Sequence, residues 1–239
     1  MNKVAIIIDG GFYRKRVSRF GETPEAAANT LYRYCQKHLY GDKEESSLYR
    51  VLYYDCPPST RKVFHPLKRQ VVDLQKEPMF RWMSDFLNEL RSKRKFAVRL
   101  GTLADEQASY QLRQETIKRL LSGEKRISDL TEEDFYLSLH QKGIDTRIGI
   151  DIVAMTLKKQ VDKIILIAGN SDFVPAAKFA RREGVDFVLD PMGVSIKEEL
   201  SEHIDGLKYF RITPGKEFSS PYKPNFEGRS RWESSDSIS

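Results

Sequence analysis

The stretch Ile6-Ile7-Ile8-Asp9-Gly10-Gly11-Phe12 decides the fold, together with its later counterpart Leu166-Ile167-Ala168-Gly169-Asn170-Ser171-Asp172-Phe173. Each is a run of apolar, mostly β-branched residues that gives way to glycine and aspartate. A run of this kind reads as a strand covered on both faces, the signature of a parallel sheet. The polar residues that follow it then stand at the carboxyl rim of the sheet, where open α/β folds bind ligands. Two such strands put two carboxylates, Asp9 and Asp172, within reach of one crevice. Gathered carboxylates hold a divalent metal, and a divalent metal handles phosphate.

Working outward, Thr23-Pro24-Glu25 opens a helix that runs to about His38, with Thr23 as its cap. Tyr49–Tyr54 reads as a second strand, stopped by Asp55-Cys56-Pro57-Pro58. Val63–Gln75, Met79–Lys93 and Gln107–Ser122 read as helices, and Phe96–Thr102 as a strand. Thr131–Asp134 opens a further short helix. A helix over Thr146–Gln160 precedes a strand at Lys163–Ala168. Phe173–Glu183 is a helix closed by Gly184, and Val185–Leu189 is a strand that again ends at an acid, Asp190. Ile196–His203 and Lys208–Ile212 complete the pattern as a short helix and a last strand. Strands separated by helices argue for βαβ units. The expectation is one α/β domain over residues 1–213, built on a mostly parallel sheet flanked by helices. Residues 59–141 form a helical insertion with one strand. Residues 214–239, with seven serines, read as a disordered tail.

The chain has 239 residues and a net charge of +6. No apolar run is long enough to span a bilayer, and the amino terminus has no signal-peptide pattern. Cys35 and Cys56 are the only cysteines, so no disulfide framework is expected and a cytoplasmic setting is. The basic charge is concentrated. Between Arg61 and Arg99 stand eleven Lys/Arg against four Asp/Glu. That excess makes Lys68, Arg69, Arg91, Lys93, Arg94, Lys95 and Arg99 the candidates for contacts to a nucleic-acid backbone.

Two further aspartates belong with the first pair. Asp145 follows Lys142-Gly143-Ile144 at the start of a helix, where it serves as a cap or a ligand. Asp151 shares the buried stripe of Ile148, Ile152 and Met155 on that helix. A carboxylate there needs a metal, a hydrogen-bond cluster or an ion pair, with Arg147 the nearest partner in sequence. The four histidines are scattered, which disfavours zinc, while an all-oxygen site suits magnesium or manganese. Gly10 lets the backbone approach a ligand, and Asn170 and Ser171 stand ready to orient one. A dinucleotide-binding fold lacks its Gly-x-Gly-x-x-Gly. An aspartyl phosphatase wants a second aspartate where Gly11 stands.

As a set, Ile6–Phe12, Lys142–Asp145, Ile150–Val153 and Gly169–Phe173 with Val174-Pro175 resemble the NYN domain, a branch of the PIN-like nucleases, and within it the LabA-like group. The resemblance covers roughly residues 3–54 and 142–212. It implies a metal-dependent ribonuclease with a Mg²⁺- or Mn²⁺-binding acidic centre and RNA as partner. DNA as substrate and a homodimer stay open. By position, Asp9, Asp145 and Asp172 match the family's acids, and Asp151 a further acid on the following helix. One departure stands out. Where the family has Gly-Asp-Ser-Asp-Phe, this chain has Asn170 in place of the first aspartate. That points to weaker hold on a second metal, and to the alternative of an RNA-binding module that has lost turnover.

Overall fold

A computed structural model describes residues 1–17, 22–40, 45–196 and 198–210 of the chain. In chain order, the first half gives β1 (Asn2–Asp9), α1 (Gly10–Val17), α2 (Pro24–Leu39), β2 (Ser46–Asp55), β3 (Lys62–His65), β4 (Gln70–Asp73), α3 (Pro78–Ser92), β5 (Phe96–Leu100), β6 (Thr102–Leu103), β7 (Ser109–Leu112) and α4 (Gln114–Leu121). The second half gives β8 (Phe135–Ser138), β9 (Gln141–Lys142), α5 (Ile144–Leu157), β10 (Lys163–Ile167), α6 (Val174–Arg182), β11 (Asp186–Asp190), α7 (Glu198–Ser201) and β12 (Gly206–Leu207).

Six strands form one sheet in the order β12-β11-β10-β1-β2-β5, and every neighbouring pair is parallel. β1 lies in the middle. Val4 through Ile8 are buried because helices cover both faces. One face packs Ile7, Leu52 and Leu166 against α5 and α6. The other packs Ile6, Ile8 and Val51 against α1, α2 and α3. The chain first builds outward from β1 to β2 and β5, then returns to the other side of β1 with β10, β11 and β12. The strand order therefore reverses between β1 and β10, and a crevice opens at their carboxyl ends.

The principal strands and helices fall where the sequence places them. Thr23 caps α2 through its hydroxyl, and Gly184 ends α6 with a left-handed φ of 82°. The region between β2 and α5 differs. Val63–Gln75 is a hairpin of β3 and β4, not a helix: Val63 and His65 point inward while Phe64 is exposed, and Arg69 turns the chain at a φ of 52°. Within Gln107–Ser122, only Gln114–Leu121 is helical, since Ser109–Leu112 pairs with Phe135–Ser138. Thr131–Asp134 is a single turn that leads into β8. Four-residue strands gain their stability from the strand they pair with, so their own periodicity does not reveal them. Gly10-Gly11 opens α1 directly after β1. Among the described residues the last sheet strand is Gly206–Leu207; of the expected strand at Lys208–Ile212, residues 211 and 212 lie outside the described residues. The tail at 214–239 lies outside the described residues.

Candidate active site

Asp9 ends β1 at the crevice. Its Oδ1 accepts the Phe12 amide hydrogen at 3.0 Å, so it also caps α1. Gly10 is required by close packing: a Cβ there would lie 2.6 Å from Asp55 Oδ2, Tyr53 Cζ and the Tyr54 carbonyl oxygen. On the opposite side of the crevice, Gly143 adopts a left-handed φ of 78°, which launches α5 with Asp145 in its first turn. The positive end of the α5 macrodipole favours a carboxylate there.

These elements enclose a cleft of about 440 Å³ lined by Asp9, Gly11, Phe12, Lys15, Gln141, Gly143, Asp145, Gly169 and Asn170, among others. Burial pushes the Asp9 carboxyl above its usual range, against the opposing pull of the Phe12 hydrogen bond, and the charges of Asp145 and Asp55 push it further. Asp145 is also raised, by burial and by the charge of Asp172. Carboxylates that raise one another mark a place where a cation is welcome. Asp172 is exposed on the turn after β10. Asn170 binds it twice, donating from Nδ2 to Asp172 Oδ2 at 2.5 Å and accepting the Asp172 amide hydrogen at 3.2 Å. Ser171 begins that turn.

Asp151 has a different fate. Tyr54 donates its hydroxyl to Asp151 Oδ2 at 2.6 Å, and Arg99 lies 3.5 Å from the same oxygen. Arg147, the partner suggested by the helix spacing, is not the one that pairs. Asp151 does not line the cleft, and its charge is not among those acting on Asp9 or Asp145. Among the described residues, no three His, Cys, Asp or Glu side chains group closely enough to hold a metal ion. The structure thus brings Asp9 and Asp145 to one cleft, with Asp172 within electrostatic reach, and engages Asp151 elsewhere.

The basic candidates divide by sheet end. Arg91, Lys93, Arg94 and Lys95 lie where α3 hands over to β5, whose first residue Phe96 pairs with Val51. This is the amino end of the sheet, about 16 Å of strand away from the acidic rim. Lys93 there donates to Asn29, Arg91 to Asn88, and Lys95 to the Leu48 carbonyl. Arg99 pairs with Asp151, and Lys68 with Glu132 at 2.7 Å. Arg69 sits in the turn between β3 and β4.

Sequence reasoning missed Asp55, Arg14, Gln141 and Lys15. Asp55 is fully buried and accepts hydrogen bonds from Arg14 Nε and Nη2 (2.8 and 2.9 Å), Tyr53 OH (3.0 Å), the Cys56 amide (2.8 Å) and Gln141 Nε2 (3.1 Å). The signal was present, because Asp55 ends β2 at the same rim where Asp9 ends β1. Asp190 ends β11 likewise, but Tyr34, His38 and the Met192 amide consume it.

The profile of a family described as the NYN domain matches residues 83–205, just over half of the chain. The matched span includes Asp145, Asn170 and Asp172; Asp9 lies outside it and joins them only through the sheet. No curated protein matches the sequence. Among solved structures, a Vibrio parahaemolyticus protein of unknown function aligns over 86% of this chain and 91% of its own, with 14% identity and a TM-score of 0.45.

Proposed function

The chain belongs to the NYN domain family, a nuclease-like family, and from this premise we propose that it is a metal-dependent endoribonuclease whose centre is the Asp9–Asp145 cleft. The observation that carries the reading is the sharing of one cleft by two carboxylates, each raised by burial and by the charge of a neighbouring aspartate. The donor set fits Mg²⁺ or Mn²⁺. Such ions are commonly held by one or two carboxylates, with water and substrate phosphate filling the other positions. Asp9 and Asp145 would hold the ion, which when bound supplies charge neutralisation at the phosphate and a more acidic water.

The protein's own groups do the rest. Lys15, in the cleft wall, attracts and steadies the phosphodiester. Asn170 tethers Asp172, whose charge acts on Asp145, so Asp172 tunes Asp145 from outside the cleft. Phe12, in the cleft wall, packs against Gly169. Raised carboxyls retain protons to higher pH than ordinary ones, so activity rises with pH as Asp9 and Asp145 ionise.

Labelled single-stranded RNA, with single-stranded DNA in parallel, tests the reading in the presence of Mg²⁺ or Mn²⁺ and then with chelator. Cleavage that stops with chelator and with Asp145→Asn supports it. Cleavage that ignores both refutes it. A second reading, an RNA-binding module without turnover, draws on Asn170 and on the lack of a three-acid group among the described residues. It predicts salt-sensitive RNA binding with no cleavage under either metal.

A further inference from the structure

Among the described residues, two carboxylates, Asp9 and Asp145, line the cleft, whereas a hard cation takes about six oxygens. Gln141 supplies a further one. It reaches the cleft from β9, on the far side of the segment between β2 and α5. Its Nε2 donates to Asp55 Oδ1 at 3.1 Å. A buried, ionised carboxylate only accepts hydrogen bonds, so the amide nitrogen must face Asp55 and the amide oxygen must turn the other way. The amide oxygen and the Asp9 carboxylate flank the same glycine: a Cβ placed on Gly11 would lie 3.1 Å from Gln141 Oε1 and 3.3 Å from Asp9 Oδ1. Asp55 is itself locked by the two-pronged guanidinium of Arg14 and by Tyr53. The amide is thus oriented by a rigid buried pair, the arrangement expected when a ligand oxygen must be presented in one direction.

We propose that Gln141 Oε1 is a neutral oxygen ligand to the divalent cation held by Asp9 and Asp145, and that the buried Arg14–Asp55 pair fixes its orientation. The proposal rests on the metal reading of the same cleft. It assigns the β9 segment a part in the site, and it gives the site an uncharged donor that binds the ion without adding to the carboxylate repulsion.

The test is calorimetric titration of Mn²⁺ into the full chain, with no nucleic acid present. Gln141 is a surface-accessible side chain, so Gln141→Ala should keep its melting temperature while its Mn²⁺ affinity falls about tenfold. If the unchanged chain takes up Mn²⁺ and Gln141→Ala takes it up equally well, the Gln141 proposal is overturned and the metal reading of the cleft stands. If the unchanged chain takes up no Mn²⁺, the metal reading itself fails, and the Gln141 assignment with it.

Discussion

Replacing Arg14 by methionine keeps an unbranched side chain of similar reach and removes the guanidinium. The loss follows from the geometry. Asp55 is fully buried and receives two of its five hydrogen bonds from Arg14, at 2.8 and 2.9 Å. Breaking a fully buried pair from one side costs about 3–5 kcal/mol, because a charge is left without its partner. Two features reduce that figure. The Arg14 side chain is 32% exposed, so water reaches the place it leaves, and Tyr53, Cys56 and Gln141 still donate to Asp55. The expected destabilisation is about 2–3 kcal/mol, read as a lowered urea midpoint at unchanged slope. A double-mutant cycle with Asp55→Asn should return a coupling of about 1–3 kcal/mol, since each substitution then removes the other's reason to matter. A loss below about 1 kcal/mol with no coupling is the behaviour of a surface ion pair, and would refute the view of Arg14–Asp55 as a rigid buried pair.

Gly10→Ala should cost about 2–3 kcal/mol in urea unfolding, even after the helix-propensity gain of about 1 kcal/mol, because the new methyl meets the immovable Tyr54 carbonyl. Asp9→Asn should raise the melting temperature of the metal-free protein while abolishing Mn²⁺ uptake. The folded state lifts the Asp9 pKa above its unfolded value, so at neutral pH the ionised carboxylate opposes folding, and stability recovers as pH falls through the folded pKa. For the same reason, Mn²⁺ affinity should begin to fall on acidification above the ordinary carboxylate range, measured by titration at stepped pH. Replacing Arg91, Lys93, Arg94 and Lys95 together by serine should leave RNA affinity in filter binding nearly unchanged. Lys15→Glu should weaken binding and flatten its salt dependence by about one unit of slope per lost phosphate contact. Asp190→Ala should cost about 3–5 kcal/mol, seen by denaturant unfolding, since it removes the carboxylate that the buried Tyr34 hydroxyl and His38 ring share.

Much of the architecture was legible along the chain because its signals are local. Ile6–Ile8 and Ile164–Ile167 are apolar on both faces, and such strands are at home only inside a parallel sheet. The caps at Thr23 and Gly184 depend on a few adjacent residues and fall where expected. Placing Asp9 and Asp145 at the carboxyl rim needed no more than strand direction and helix start. The small antiparallel pairs were not legible. Val63 and Val72 pair across a hairpin turn, and Ser109 meets Ser138 across nearly thirty residues of chain, so their stability resides in contacts the local pattern does not encode.

The sequence by itself determined the sheet, its rim and where Asp9 and Asp145 stand on the elements, because alternation, apolar runs and capping residues act over a single element. Tertiary structure alone decided how those acids are employed. It gave Asp151 to Tyr54 and Arg99, put Arg91–Lys95 at the amino end of the sheet, away from the cleft, and brought Arg14, Asp55 and Gln141 together near Asp9. A carboxylate's role is set by the charges and donors within a few ångströms of it, and those neighbours come from strands and loops far apart in the chain.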